Sequence, residues 1–157
     1  VDGSRTVFRP ARGSTGFPHP GDPPLPDTAP RACRSAWHAM ARAARGQVGD
    51  FVERRYPQTF HSATLTDRDG THVALFHAHH PLTAFVDERR HWYTDEFREP
   101  PAWAGVLAHH GFAVLSAALL LAPFPAADVS ALSGSELRQI AFRRPDTVGA
   151  ALFNAWG

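Results

Sequence analysis

Phe60-His-Ser-Ala-Thr-Leu-Thr66, followed by Asp67-Arg-Asp-Gly70 and then Thr71-His-Val-Ala-Leu-Phe-His-Ala78, is the stretch on which the fold of this chain turns. Both flanks are rich in residues that suit a pleated surface. The four residues between them are polar and end in a glycine placed to take a positive φ, so the stretch predicts a β-hairpin. Pro81 interrupts the run, and Leu82 to Val86 follows as a third strand.

On the N-terminal side, residues 47 to 57 admit two readings. Phe51, Val52 and Tyr56 suit a short helix ended by Pro57, or a further strand. Before them a helix is predicted to start near Asp27 or Thr28 as cap, to take Pro30 in its first turn and to stop at Gly46. Cys33, Trp37, Met40 and Ala44 recur at helical spacing and form its buried stripe. Residues 1 to 30 contain seven of the 14 prolines and few large apolar groups, so little burial is available to offset the entropy of ordering them. They are expected to form a disordered, extended arm, with a polyproline II bias from Pro18 to Pro26.

On the C-terminal side, the charged and aromatic segment from Asp87 to Pro100 is expected to be a long loop, where function is most readily displayed. Trp103, Val106, Leu107 and His110 predict a short helix closed by Gly111. Phe112 to Leu115 then suits a buried strand, and Leu119 to Leu121 adds core material. Ser133 and Glu136 stand at capping-box spacing before Leu137, Ile140 and Ala141, which predicts a helix that Pro145 ends. Asp146 or Thr147 caps a last helix burying Val148, Leu152 and Ala155 or Trp156. The expected fold is a single α+β domain over residues 31 to 157: a small, mainly antiparallel sheet of three to four strands, covered by helices on one side.

Ala102 to Ala127 is free of Asp, Glu and Arg and is long enough to span a bilayer. His109, His110, Gly111, Pro123 and Pro125 interrupt it, so buried core elements are the expectation, with no membrane partner. No apolar stretch of signal-peptide type opens the sequence, and the single cysteine, Cys33, cannot build a disulfide framework. A cytoplasmic location fits both observations.

All 16 Lys+Arg positions are arginine, with one isoleucine and one asparagine in 157 residues, the usage of a GC-rich genome such as an actinobacterial one. The tail, Glu136-Leu-Arg-Gln-Ile-Ala-Phe142 with Pro145, Thr147-Val-Gly149, Leu152-Phe-Asn154 and Trp156, resembles the closing segment of small uncharacterised actinobacterial proteins. The resemblance covers about the last twenty residues. It implies an origin and a domain end and transfers no catalytic motif, while the large aromatics at the terminus predict a docked final helix.

With a net charge of +1, bulk electrostatics call for no particular partner. The densest cluster of chemistry-bearing residues is His77-Ala-His79-His80, where alternation sets His77 and His79 on one strand face. One divalent transition metal is conceivable there, with a third ligand from His61, His72, His91, Asp87 or Glu88. Such a metal would support a small hydrolase with Asp87, Glu88 or Asp95 as base. Hydrogen-bonded histidines at the core margin are the simpler expectation, and no cofactor is then required. The sequence patterns of zinc proteases, serine hydrolases and nucleobase deaminases are missing. Cys33 sits on the apolar stripe, where a thiol is inert.

Arg31, Arg34, His38, Arg42 and Arg45 make a basic stripe on the first helix, able to lie along phosphates, so nucleic acid is a further, less favoured partner. Asp87 to Tyr93 gathers guanidinium, imidazole and aromatic groups, a hot-spot composition. The favoured reading is a non-catalytic binding protein of immunity or accessory type. It would hold a protein partner through Arg89, Arg90, His91, Trp92 and Tyr93, assisted by Arg34 and Arg42 of the helix.

Overall fold

The computed structural model describes residues 8–157. Helix α1 spans Pro30–Ala44 with proline in its first turn, where the missing N–H costs nothing. It ends at Arg45, one residue before the expected glycine, with φ 55° and its N–H on the carbonyls of Ala41 and Arg42. The residues that had two readings form a strand: β1 (Gln47–Val52) is followed by β2 (Phe60–Asp67), β3 (Gly70–His77), β4 (Leu82–Val86) and the two-residue β5 (Phe97–Arg98).

These strands lie in the order β1-β2-β3-β4-β5, each antiparallel to its neighbour, and β6 (Ala113–Val114) runs parallel to the start of β4. The hairpin closes as the sequence predicts, with Asp67 opposite Gly70 and Phe60 opposite His77. Gly70 takes φ 125°, and the Asp67 carboxylate accepts the Asp69 N–H inside the turn. The sheet thus has six strands rather than three to four. The additions are β1, an edge strand of ambiguous pattern, and β5, whose two residues are too few for a period of two to register, while β6 falls within the strand expected from Phe112 to Leu115.

Helices cover both faces of the sheet, not one. On the first face α1 and a 3-10 segment, Ala102–His110, bury Trp37, Met40, Ala104 and Leu107 against Leu65, Phe76 and Phe85. On the second, α2 (Ala117–Leu121) and α4 (Val148–Leu152) bring Leu120, Val148, Leu152 and Phe153 onto Phe60, Leu75 and Val86. The alternation along β2 and β3 feeds both cores, so burial is continuous from Phe60 to Ala63 on β2 and from Val73 to His77 on β3. A fully buried side chain of this size contributes about 1.5–3 kcal/mol.

Helix α3 (Gly134–Arg143) carries the expected capping box, with Ser133 and Glu136 bonded reciprocally. Thr147 caps α4 through its side chain. The apolar run from residue 102 is broken by Gly111 at φ 87°, by β6, and by the turn Phe124–Ala126 after α2. Among the described residues no helix is long and apolar enough to cross a membrane.

The arm departs most from expectation. Its first seven residues lie outside the described ones, but residues 8–29 are laid on the body, with Pro10, Gly13, Ser14 and Thr15 buried. Their composition offers little apolar surface, and the holding force is polar. The Glu136 carboxylate, 0% exposed, accepts the N–H groups of Gly13 (3.0 Å) and Thr15 (3.1 Å) and the Thr15 hydroxyl (2.7 Å). Low hydrophobicity signals disorder only when buried polar partners for the backbone are lacking, and here they are supplied.

Candidate functional site

The histidines of the β3 end form the floor under the arm. His77 donates from Nε2 to the Ser14 carbonyl at 2.8 Å, and its Nδ1 accepts the N–H groups of His79 and His80 at 3.1 and 3.2 Å. His79 donates from Nδ1 to the Pro26 carbonyl (2.9 Å), and His80 from Nε2 to that of Arg12 (2.8 Å). Burial pushes His77 down to about 3 and also lowers His79, so both are neutral near pH 7. His77 retains no lone pair for a metal. Among the described residues no three His, Cys, Asp or Glu side chains come together as ligands. Cys33 is buried, which raises its thiol to about 12.

The segment after β4 is only partly a free loop. Tyr93 is buried in the second core, where its hydroxyl accepts the Arg90 N–H and donates to the Glu88 carbonyl. Arg89 reaches back to the Ser62 hydroxyl at 2.7 Å and to carbonyls of Asp50 and Ser62. Both residues shape the loop rather than face a partner. Arg90 pairs with Glu88, and His91 bonds Gln58 and meets the Trp92 ring edge to face. Trp92 is left 58% exposed.

Arg34 and Arg42 do not join this loop. Ser62, which Arg89 grips, pairs with Leu75 of the second core, and Tyr93 and Phe97 pack into that core. Helix α1 covers the other face. Arg34 is spent on Glu53 (3.0 Å) and on the Phe51 ring, 4.6 Å from its centroid, while Arg42 stands exposed in the last turn. The helix stripe and the loop therefore address opposite sides of the sheet.

The loop meets the C-terminal tail instead. The Thr147 hydroxyl donates to the Thr94 carbonyl, fixing the start of α4 against the loop. Between them opens a cleft of about 350 Å³ lined by Trp92, Thr94, Arg143, Arg144, Asp146 and Trp156. Arg143 bonds the Trp156 carbonyl at 2.7 Å, which holds the tail beside the end of α3. Arg144 sits in the left-handed region, φ 49°, and its guanidinium has no hydrogen bond or ion pair among the described residues.

Two strongly exposed aromatic side chains adjoin, in sequence, residues of the cleft or its tail. Phe142, 76% exposed, precedes Arg143, and Tyr56, 83% exposed, precedes Pro57, against which Gly157 lies. A second hollow of about 270 Å³ takes in Arg55, Arg89, Arg90 and His91. Sequence reasoning reached Trp92 and the loop but missed Arg143, Arg144 and Trp156. The Arg-Arg-Pro run after α3, where glycine is the usual helix stop, was the available signal. Comparison with family models, with curated proteins and with solved structures returns no match to this chain.

Proposed function

We propose that this protein is a non-catalytic binding module that grips an acidic, partly apolar segment of a protein partner in the cleft between the Trp92 loop and the C-terminal tail. The observation that carries this reading is the convergence of two indoles, Trp92 and Trp156, and two guanidiniums, Arg143 and Arg144, on one cleft. Exposed Phe142 and Tyr56 supply flanking apolar surface. Aromatic and arginine side chains dominate binding energy because they bring large, rigid contact area and forked donors to one place. Arg143 and Arg144 outnumber Asp146 on the rim, so a carboxylate-bearing segment is the complementary partner.

The arginine stripe of α1 is left out, since it lies across the sheet. A metal-dependent reaction at His77 and His79 receives no support, as His77 is bonded through both ring nitrogens and no three ligating side chains come together among the described residues. The test is affinity capture from a lysate of the source organism. A protein retained by the wild type and by an Arg31→Ala/Arg42→Ala variant, but lost with Trp92→Ala/Arg144→Gly, supports the reading. Loss with the helix variant and retention by the cleft variant would transfer function to α1.

A further inference from the structure

Residues 11–26 are held mainly through their main chain, joined by the Thr15 hydroxyl on Glu136, the His19 ring on Ser135 and the Phe17 ring on Trp156. Arg12, Ser14 and Pro26 each give a carbonyl to an imidazole N–H, and Thr15 gives its carbonyl to the Asn154 carboxamide at 3.2 Å. Gly13 and Thr15 give their N–H groups to Glu136. Pro18, Pro20, Pro23 and Pro24, between these anchors, are exposed. The segment is thus a strap of low apolar content fastened by groups that titrate.

We propose that this strap is released by protons: uptake by His77 and His79 detaches residues 11–26 from the body and unfastens the wall of the neighbouring cleft. The geometry states why. The Nδ1 of His77 receives two N–H groups and its Nε2–H is given to Ser14, so a second ring proton has no acceptor and displaces the His79 and His80 amides. The Nε2 of His79 is buried without a partner among the described residues, so a proton there is a buried, unpaired charge. His80 bonds through Nε2 to the Arg12 carbonyl.

The charged groups facing these rings oppose that charge on balance, since Arg54 and His80 outweigh the favourable carboxylate of Asp27 beside His79. His79 and His80 stand beside His77. Arg54, His80 and Asp27 stand near His79, and the carboxylate of Glu136 is filled by strap and cap donors. Burial holding His77 near 3 agrees with this reading. The cleft is coupled because Asn154 and Trp156 belong to its wall, while Thr15 bonds Asn154 and Phe17 packs on Trp156 with ring centroids 6.3 Å apart. Strap release stands on its own contacts, and only its bearing on binding rests on the function proposed above.

The test is amide hydrogen exchange of the full chain at pH 7.5 and 5.0, expressed as protection relative to intrinsic rates. A freed imidazole with pKa about 6.5 favours the released state about 30-fold at pH 5.0, so protection at Gly13 and Thr15 should fall by about 30-fold from His77, and further where His79 contributes. The β2–β3 amides should stay protected. His77→Gln/His79→Gln keeps side-chain N–H donors without titration, and its strap protection should not change between the two pH values. Equal strap protection in the wild type at both pH values overturns the proposal, as does strap protection as high as that of the β2–β3 amides at pH 5.0, which would mean that the strap opens only with the whole fold. An unchanged pH response in His79→Gln and in the double variant overturns it too, since groups other than His77 and His79 would then drive release. If the double variant does not fold, the wild-type comparison decides.

Discussion

The Nε2–H of His77 and the carbonyl oxygen of Ser14 meet at 2.8 Å across 63 residues of sequence. This bond joins the end of the central hairpin to the N-terminal segment and fixes the tautomer of a fully buried imidazole. It accounts for both the ordered arm and the acid sensitivity expected of the fold.

Global stability should fall on acidification below about pH 6.5. The folded state holds His77 near 3, whereas an unfolded histidine titrates near 6.5. The stabilisation is complete above the unfolded value and is lost as pH drops toward the folded one, because the unfolded chain binds the extra proton. At pH 5 the loss is about 2 kcal/mol. Urea unfolding at pH 7 and 5 measures it, and His77→Gln should remove most of the difference.

Glu136→Ala should cost about 2–4 kcal/mol, because it strands buried N–H groups of Gly13, Thr15 and Ser133 as well as the Thr15 hydroxyl. Ser133→Ala removes only the cap acceptor of the Glu136 N–H and should cost about 1 kcal/mol. Denaturant midpoints that rank the two variants equally would mean the carboxylate serves the capping box alone.

Arg45→Gly and Arg144→Gly should each raise stability by about 1 kcal/mol, since both arginines sit at positive φ. Only Arg144→Gly should weaken partner binding, because Arg45 lies on the α1 side. A stabilised protein with lost binding is the signature of a residue kept for recognition rather than for folding.

Cys33 should resist thiol reagents in the native protein and react at the rate of unfolding, given its burial and a thiol raised to about 12. Rapid labelling under native conditions would show α1 to be loosely docked.

The hairpin, the third strand, the capping box and the Thr147 cap were legible because each rests on local chemistry: turn residues, alternation and side-chain acceptors a few positions away. Glu136 shows where that legibility ends. Its capping role follows from Ser133, but its hold on Gly13 and Thr15 depends on a contact more than 120 residues distant. Tyr93 was read as a contact residue because a polar loop surrounds it, yet its ring completes an aromatic core with Phe60 and Phe97. Arg143, Arg144 and Trp156 acquire meaning only when α4 folds back onto the loop. Local pattern carries no record of that juxtaposition.

The most direct measurement of the central claim is a hydrogen-exchange footprint of the complex with a captured partner. The account predicts new protection at residues 90–94 and 141–157, with the exposed face of α1 unchanged. Protection confined to residues 31–45, with the cleft exchanging as in the free protein, would contradict it.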